Sequence, residues 1–163
     1  MSTVAVTRTI DVAPARVWAF ITDLANRGAW LSSVDAVEVL TTGAFDAGAA
    51  WRESRTIADG TRVTEEFRVD QCEPPRAFVV SSAGIGATYR ITYTVNPVEV
   101  GRHRGGSTVT IEQEGHASGT TGRVLEWVLG GLAARAVEGA LWQELDDLAR
   151  ALTTPRSDTG TAA

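Results

Sequence analysis

The chain has 163 residues, 44% of them hydrophobic, and a formal charge of -5; that is enough for one compact domain with its own core and gives no composition shift that would mark a second. All 15 basic residues are arginine, and an acidic chain without lysine lacks the electrostatic footprint of a nucleic-acid or anionic-membrane binder. No basic start followed by an apolar run marks a leader, and the apolar stretches are too short or too glycine-broken to span a bilayer, so a soluble cytoplasmic protein without membrane insertion is expected.

In chain order, Val4 to Ile10 alternates as a strand and runs into Asp11-Val12-Ala13-Pro14. A proline suits the first turn of a helix, where its missing N–H costs no hydrogen bond. Val17, Phe20, Ile21 and Leu24 then recur at helical spacing, and Asn26-Arg27-Gly28 breaks the pattern before Trp30 and a second short helix.

Between Ala36 and Ala117 alternating runs separated by turn residues predict an antiparallel meander. Asp59-Gly60 is a strong hairpin signal, Pro74-Pro75 ends a strand, Gly84-Ile85-Gly86 turns another, and Asn96-Pro97 through Gly105-Gly106 makes a longer loop. One face of the meander is polar throughout, as a solvated face should be. The other carries Trp51, Phe67, Phe78, Val80, Tyr89, Ile91, Tyr93, Val109 and Ile111, interrupted by Glu53, Arg55, Glu65 and Gln113. Charges on a buried face must be paired or sit in a wet cavity. A structural Glu53–Arg55 pair and a strand slip at a bulge are the plain accounts, whereas the four polar residues together, beside Tyr89 and Tyr93, favour a polar-lined pocket.

Thr121 to Leu152 contains no proline and reads as one long helix, with Thr120 or Thr121 as its cap. Its stripe runs Trp127, Gly130/Gly131, Ala134, Val137, Leu141, Leu145, Leu148, Leu152, large at the end and small in the middle. The small residues between Trp127 and Val137 are expected to leave a ligand cavity against the sheet. A second apolar face (Leu125, Val128, Leu129, Leu132, Ala136) has three readings: burial first, a flap second, a homodimer interface third. Residues 153–163 read as a disordered tail behind a single domain of residues 1–152.

Several chemistries lack their residues. The single Cys72 reads as an inert thiol, while His103 and His116 have no ligand cluster nearby. No metal site and no cofactor are expected. There is no nucleophile elbow, phosphate loop or triad spacing either.

The segment Ile10-Asp11-Val12-Ala13-Pro14-Ala15-Arg16-Val17-Trp18 with Trp30 carries a resemblance, together with Gly43-Ala44-Phe45-Asp46-Ala47-Gly48, Glu73-Pro74-Pro75-Arg76 and the run Leu141 to Leu152. Over residues 3 to 152 the chain resembles the START/birch-allergen-like (SRPBCC) superfamily and, within it, the bacterial polyketide cyclase/dehydrase-like family. That resemblance implies an α+β helix-grip fold: a curved seven-stranded antiparallel sheet wrapped around a long C-terminal helix, with two short helices after the first strand. It also implies a cavity for a lipid, polyketide or other apolar molecule, but a shared fold does not choose between roles.

Three functions follow as expectations. The first is binding of a small hydrophobic ligand between Trp51, Phe67, Phe78, Tyr89, Ile91, Tyr93, Trp127, Gly131 and Ala134, oriented by Glu65, Arg55 and Gln113. The second is a cyclase or dehydratase in which Arg55 stabilises an enolate oxygen and Glu53 or Glu65, raised in pKa by burial, moves the proton. The third is a toxin-like or regulatory module acting through a protein partner, motivated only by the second apolar helix face.

Overall fold

The structure is a computed structural model that describes residues 2–56, 59–84, 87–117 and 119–154, with only the backbone described for residues 2, 84, 117 and 119–133. Its elements are β1 (Ser2–Ile10), α1 (Pro14–Ile21), a 3-10 turn (Leu24–Asn26), α2 (Arg27–Trp30), β2 (Ala36–Val39), β3 (Ala50–Thr56), β4 (Arg62–Glu73), β5 (Ala77–Gly84), β6 (Ala87–Pro97), β7 (Ser107–Ala117) and α3 (Gly119–Thr153). Pro14 occupies the start of α1 as expected. Gly60, with φ at +85°, supplies the left-handed conformation that the β3–β4 turn requires. The expected turn after Gly84, at residues 85–86, and the tail beyond residue 154 lie outside the described residues, whereas α3 already begins at Gly119, so Thr120 and Thr121 lie inside the helix and neither is its N-cap.

The seven strands form one antiparallel sheet in the order β1-β7-β6-β5-β4-β3-β2, so the chain climbs the sheet strand by strand from β2 and closes with β7 beside β1. Alternation decides the faces. Trp51 and Glu53 of β3, Phe67 and Val69 of β4, Val80 of β5, Tyr93 and Val95 of β6 and Val109 and Ile111 of β7 are buried, while Arg52, Glu66 and Ser54 face water. A register shift between Val69 and Gln71 places Val69 opposite Val80 and Cys72 opposite Phe78. The extra residue swaps the inward parity of β4 from odd to even numbers, keeping Cys72 on the core side, and such bulges bend a strand.

Helix α3 lies across the sheet, packed chiefly on β1. Leu141, Leu145, Leu148 and Leu152 are all buried, with Val17 and Ile21 of α1 in the same cluster, so the large half of the helix stripe fills the core. Polar ties fix the helix on both sides. Arg8 of β1 pairs with Asp146, and Asp147, fully buried, accepts the backbone N–H and the hydroxyl of Ser32 at 2.8 and 2.7 Å. Gln143 and Arg150 donate to its other oxygen. Burial alone would raise the Asp147 carboxyl, but the Ser32 bonds and then Gln143 and Arg150 hold it below its ordinary value. Asp147→Ala would remove both bonds that tie α3 to Ser32, and a loss of about 1–3 kcal/mol is expected in urea unfolding, with Asp147→Asn losing less.

No described helix is long and apolar enough to cross a membrane.

Candidate functional site

Two elements that the chain separates widely meet in one polar cluster. Arg27, first residue of α2, is only 5% exposed and Glu53 of β3 only 1%. Arg27 Nε donates to Glu53 Oε1 at 2.6 Å, Trp51 Nε1 donates to the same oxygen at 2.9 Å, and Arg55 Nη2 donates to Glu53 Oε2 at 2.6 Å. The Arg27 guanidinium carbon lies 5.6 Å from the Trp30 ring centroid and 5.5 Å from that of Trp51, a cation–π environment on two rings. From α3, Glu144 Oε1 accepts Arg27 Nη2 at 3.3 Å and the Tyr93 hydroxyl at 2.9 Å.

The register explains the need for so much positive charge. Glu53 stands directly opposite Glu65 on adjacent strands, and like charges in that position repel. Shared between two arginines, Glu53 is instead stabilised as an anion. Burial works to raise its pKa, but the charge and hydrogen bond of Arg27, the Trp51 N–H and the charge of Arg55 outweigh it and hold the carboxyl down at about 2. The sequence reading that burial would raise Glu53 into a proton-moving range is therefore corrected: the residue is a fixed ion. Arg27, pulled down by burial but pushed up by Glu53 and Glu144, ends above its ordinary value. Tyr93 is raised by burial and by Glu144, so its hydroxyl stays protonated and donates.

Beside this cluster lies a cavity of about 340 Å³, partly open to solvent, between the concave sheet and α3. Seven residues expected at a site line it: Arg55, Glu65, Phe67, Tyr89, Ile91, Tyr93 and Gln113. Others do not. Glu53 is behind Arg27 and Arg55, as the bonds above require. Trp51 stacks on Phe67 with centroids 5.4 Å apart, and Phe78 stacks on Tyr93 at 4.6 Å and meets Trp18 and Phe45 edge-on. Both rings therefore support wall residues from behind instead of forming this cavity's wall. Ala134 is not part of the lining. The side chains of Trp127 and of Leu125, Val128, Leu129 and Leu132 of the second apolar face lie outside the described residues, and of Gly131 only the helical backbone is described.

On the helix side the lining among the described residues is Ala136, Val137, Ala140, Leu141 and Glu144. The small residues of α3 described on the cavity are thus Ala136, at the end of the gap expected between Trp127 and Val137 and placed by the sequence on the second apolar face, and Ala140, one turn further on. Arg27, Ser33 and Glu144 also line it and were not singled out in the sequence. Only Arg27 carried a hint, as a charged residue three positions before Trp30 where the helical pattern breaks. Glu65 accepts the Ser82 hydroxyl at 2.6 Å through Oε1, and Arg55 Nε is buried without a hydrogen-bond partner among the described residues. Chemically, the cavity offers apolar walls, guanidinium and amide donors and carboxylate acceptors. Among the described residues no group of three or more His, Cys, Asp or Glu is arranged to hold a metal ion.

Comparison with known proteins places this geometry. The profile of the family described as polyketide cyclase/dehydrase and lipid transport matches residues 1–153. The uncharacterized protein Rv1546 of Mycobacterium tuberculosis (strain H37Rv) is 29% identical over 155 residues, spanning 91% of this chain and 97% of its own length. Among solved structures, the Thermus thermophilus protein TTHA0849 superposes with a TM-score of 0.71 at 20% identity, covering 93% of this chain and 97% of that one. The di-domain ARO/CYC BexL from the BE-7585A biosynthetic pathway does so with a TM-score of 0.71 at 17% identity, over 94% of this chain and 50% of BexL. At such identities the two structures speak for the fold alone: the seven-stranded curved antiparallel sheet with a long C-terminal helix that the sequence led us to expect. With the match running through essentially the whole folded region, the chain belongs to the polyketide cyclase/dehydrase and lipid transport family.

Proposed function

We propose that the protein binds a small, largely apolar molecule in the cavity between the sheet and α3. The observation that carries this is the lining itself. Phe67, Ile91, Val137 and Leu141 supply apolar surface, while Arg55, Glu65, Tyr89 and Gln113 come from separate strands to one concave space of about 340 Å³. A volume of this order is enough for a small ligand, and the lining gives it both apolar contact and polar partners. The family description, with its polyketide and lipid chemistry, agrees in kind, and a cytoplasmic carrier of such a molecule is the setting we favour.

Native mass spectrometry of the protein purified from its expression host, followed by solvent extraction, tests the reading. A retained small molecule is expected, and Ala140→Trp, which fills the cavity from an exposed position on α3, is expected to abolish retention with the fold preserved. Equal retention by that variant would place the molecule elsewhere.

A second reading, cyclisation or dehydration of a polyketide-like carbonyl chain, is favoured by one observation: Arg55 and Glu65 line the same cavity. Arg55 would stabilise an enolate oxygen and Glu65 would move the proton, with the walls folding the chain. Glu53, held as an ion, takes no proton-transfer role. On this reading Glu65→Gln lowers turnover by about 100-fold or more while affinity changes far less; equal losses in both would reduce Glu65 to a binding group.

A further inference from the structure

We propose that the apolar molecule taken by the cavity carries a protonated amine, and that its ammonium seats on Glu65 between the rings of Phe67 and Tyr89. This rests on the cavity being a binding site and names the class of molecule it takes. The charges around the cavity leave one carboxylate over. Arg27 pairs with Glu53 and with Glu144, and Arg55 pairs with Glu53, so two arginines and two glutamates balance within one bonded cluster. Glu65 lines the same space outside that cluster. Among the described residues it has no ion-pair partner, and its one side-chain hydrogen bond comes from the Ser82 hydroxyl, 2.6 Å from Oε1. A ligand that fills the cavity strips water from Oε2 and has to supply a donor in exchange. For a carboxylate without a counter-ion, the strongest such donor is a cationic N–H.

The sheet register builds a seat for that cation. One cross-strand row runs Trp51, Phe67, Ser82, Tyr89 over β3, β4, β5 and β6. Ser82 is small, so the row has a notch between two aromatic residues that stand two strand spacings, about 9–10 Å, apart. Bonded to Ser82, the Glu65 carboxylate stands at this notch. Trp51 stacks on Phe67 from the β3 side, with the rings 19° from parallel, so the other face of Phe67 turns along the row toward Ser82 and Tyr89. A cation midway is roughly 5 Å from either residue's ring, within cation–π range. The protein's own cations do not serve these two rings: among the described residues it is Arg27 that lies over aromatic rings, those of Trp30 and Trp51.

The other charge types fit less well. A carboxylate ligand adds a second uncompensated negative charge beside Glu65, in a partly desolvated space that screens poorly. A neutral ligand leaves the excess charge as it was. An apolar amine cancels it, with its body against Ile91, Val137 and Leu141.

Isothermal titration calorimetry at neutral pH with three compounds on one two-ring skeleton tests this: naphthylmethylamine, naphthylmethanol and naphthoate. The amine is expected to bind about tenfold or more tighter than the alcohol, and the acid more weakly than either. Glu65→Gln should erase the advantage of the amine while leaving the affinity for the alcohol nearly unchanged. That variant also removes a like charge opposite Glu53, and its melting curve checks that it is folded. Tyr89→Leu should weaken the amine more than the alcohol. An amine that binds no tighter than the alcohol overturns the proposal while leaving the cavity a binding site, as does an amine preference that survives in Glu65→Gln. If none of the three binds, the cavity reading falls together with it.

Discussion

Arg27→Met is expected to destabilise the protein by about 3–5 kcal/mol, the cost of leaving a buried charge without its partner. Glu53 is 1% exposed, and Arg27 gives it its shortest link to α2. Removing the guanidinium leaves Arg55, itself part-exposed, as the remaining cation on that carboxylate, and the faces of Trp30 and Trp51 lose their cation as well. The double variant Arg27→Met/Glu53→Leu removes both buried charges and is expected to be more stable than Arg27→Met alone, because an apolar pair of similar volume avoids desolvation that the ion pair must offset. Glu144 then loses Arg27 but keeps Tyr93 and some access to water. Urea unfolding of the two single variants and the double closes a thermodynamic cycle. Additive losses would mean that the pair is not coupled and that the burial of Glu53 is sustained by other groups.

The second large effect is in acid. Glu53 has a folded-state pKa of about 2 against an ordinary 4.5. A carboxyl depressed on folding stabilises the native state fully above its unfolded pKa, and that contribution is lost as pH falls toward the folded value. Wild-type stability is therefore expected to fall between about pH 4.5 and pH 2, with Glu53 contributing a slope of up to about 1.4 kcal/mol per pH unit for the one proton taken up. Asp147, also depressed, adds in the same direction. Glu53→Gln will be less stable than wild type at neutral pH, since Arg27 loses its closer anionic partner and keeps only Glu144, but its stability should fall less steeply across that acid window. Parallel slopes in chemical unfolding at stepped pH values would show that Glu53 is not held as an ion in the native state.

These effects bear on what could be read from the chain. The strands were legible because each has one solvated face: the alternation of Trp51, Glu53 and Arg55 against Arg52, Ser54 and Thr56 has a period that the pleat imposes locally. The same alternation put Glu53, Arg55, Glu65 and Gln113 on the concave side, where three of them now line the cavity and the fourth anchors Arg55. Arg27 and Glu144 escaped because nothing local marks them. Arg27 sits where the helical pattern breaks and is buried only through Glu53, 26 residues on, and Glu144, 117 residues on. A glutamate beside Leu145 on an amphipathic helix looks like part of its wet face until the sheet that meets it is known. Trp51 and Phe78 have the right parity for cavity walls, but parity says nothing of depth, and their stacking on Phe67 and Tyr93 sets them one layer back.

The claim at the centre is that a small molecule enters the space between sheet and α3, and methyl-resolved NMR tests it most directly. Titrating the folded protein with naphthylmethylamine should give saturable shifts of the Ile91, Val137 and Leu141 methyls, which line the cavity, with no response from Val100, which is 80% exposed on the β6–β7 loop. Unmoved Ile91, Val137 and Leu141 signals, or shifts spread evenly over exposed methyls such as Val100, would contradict it.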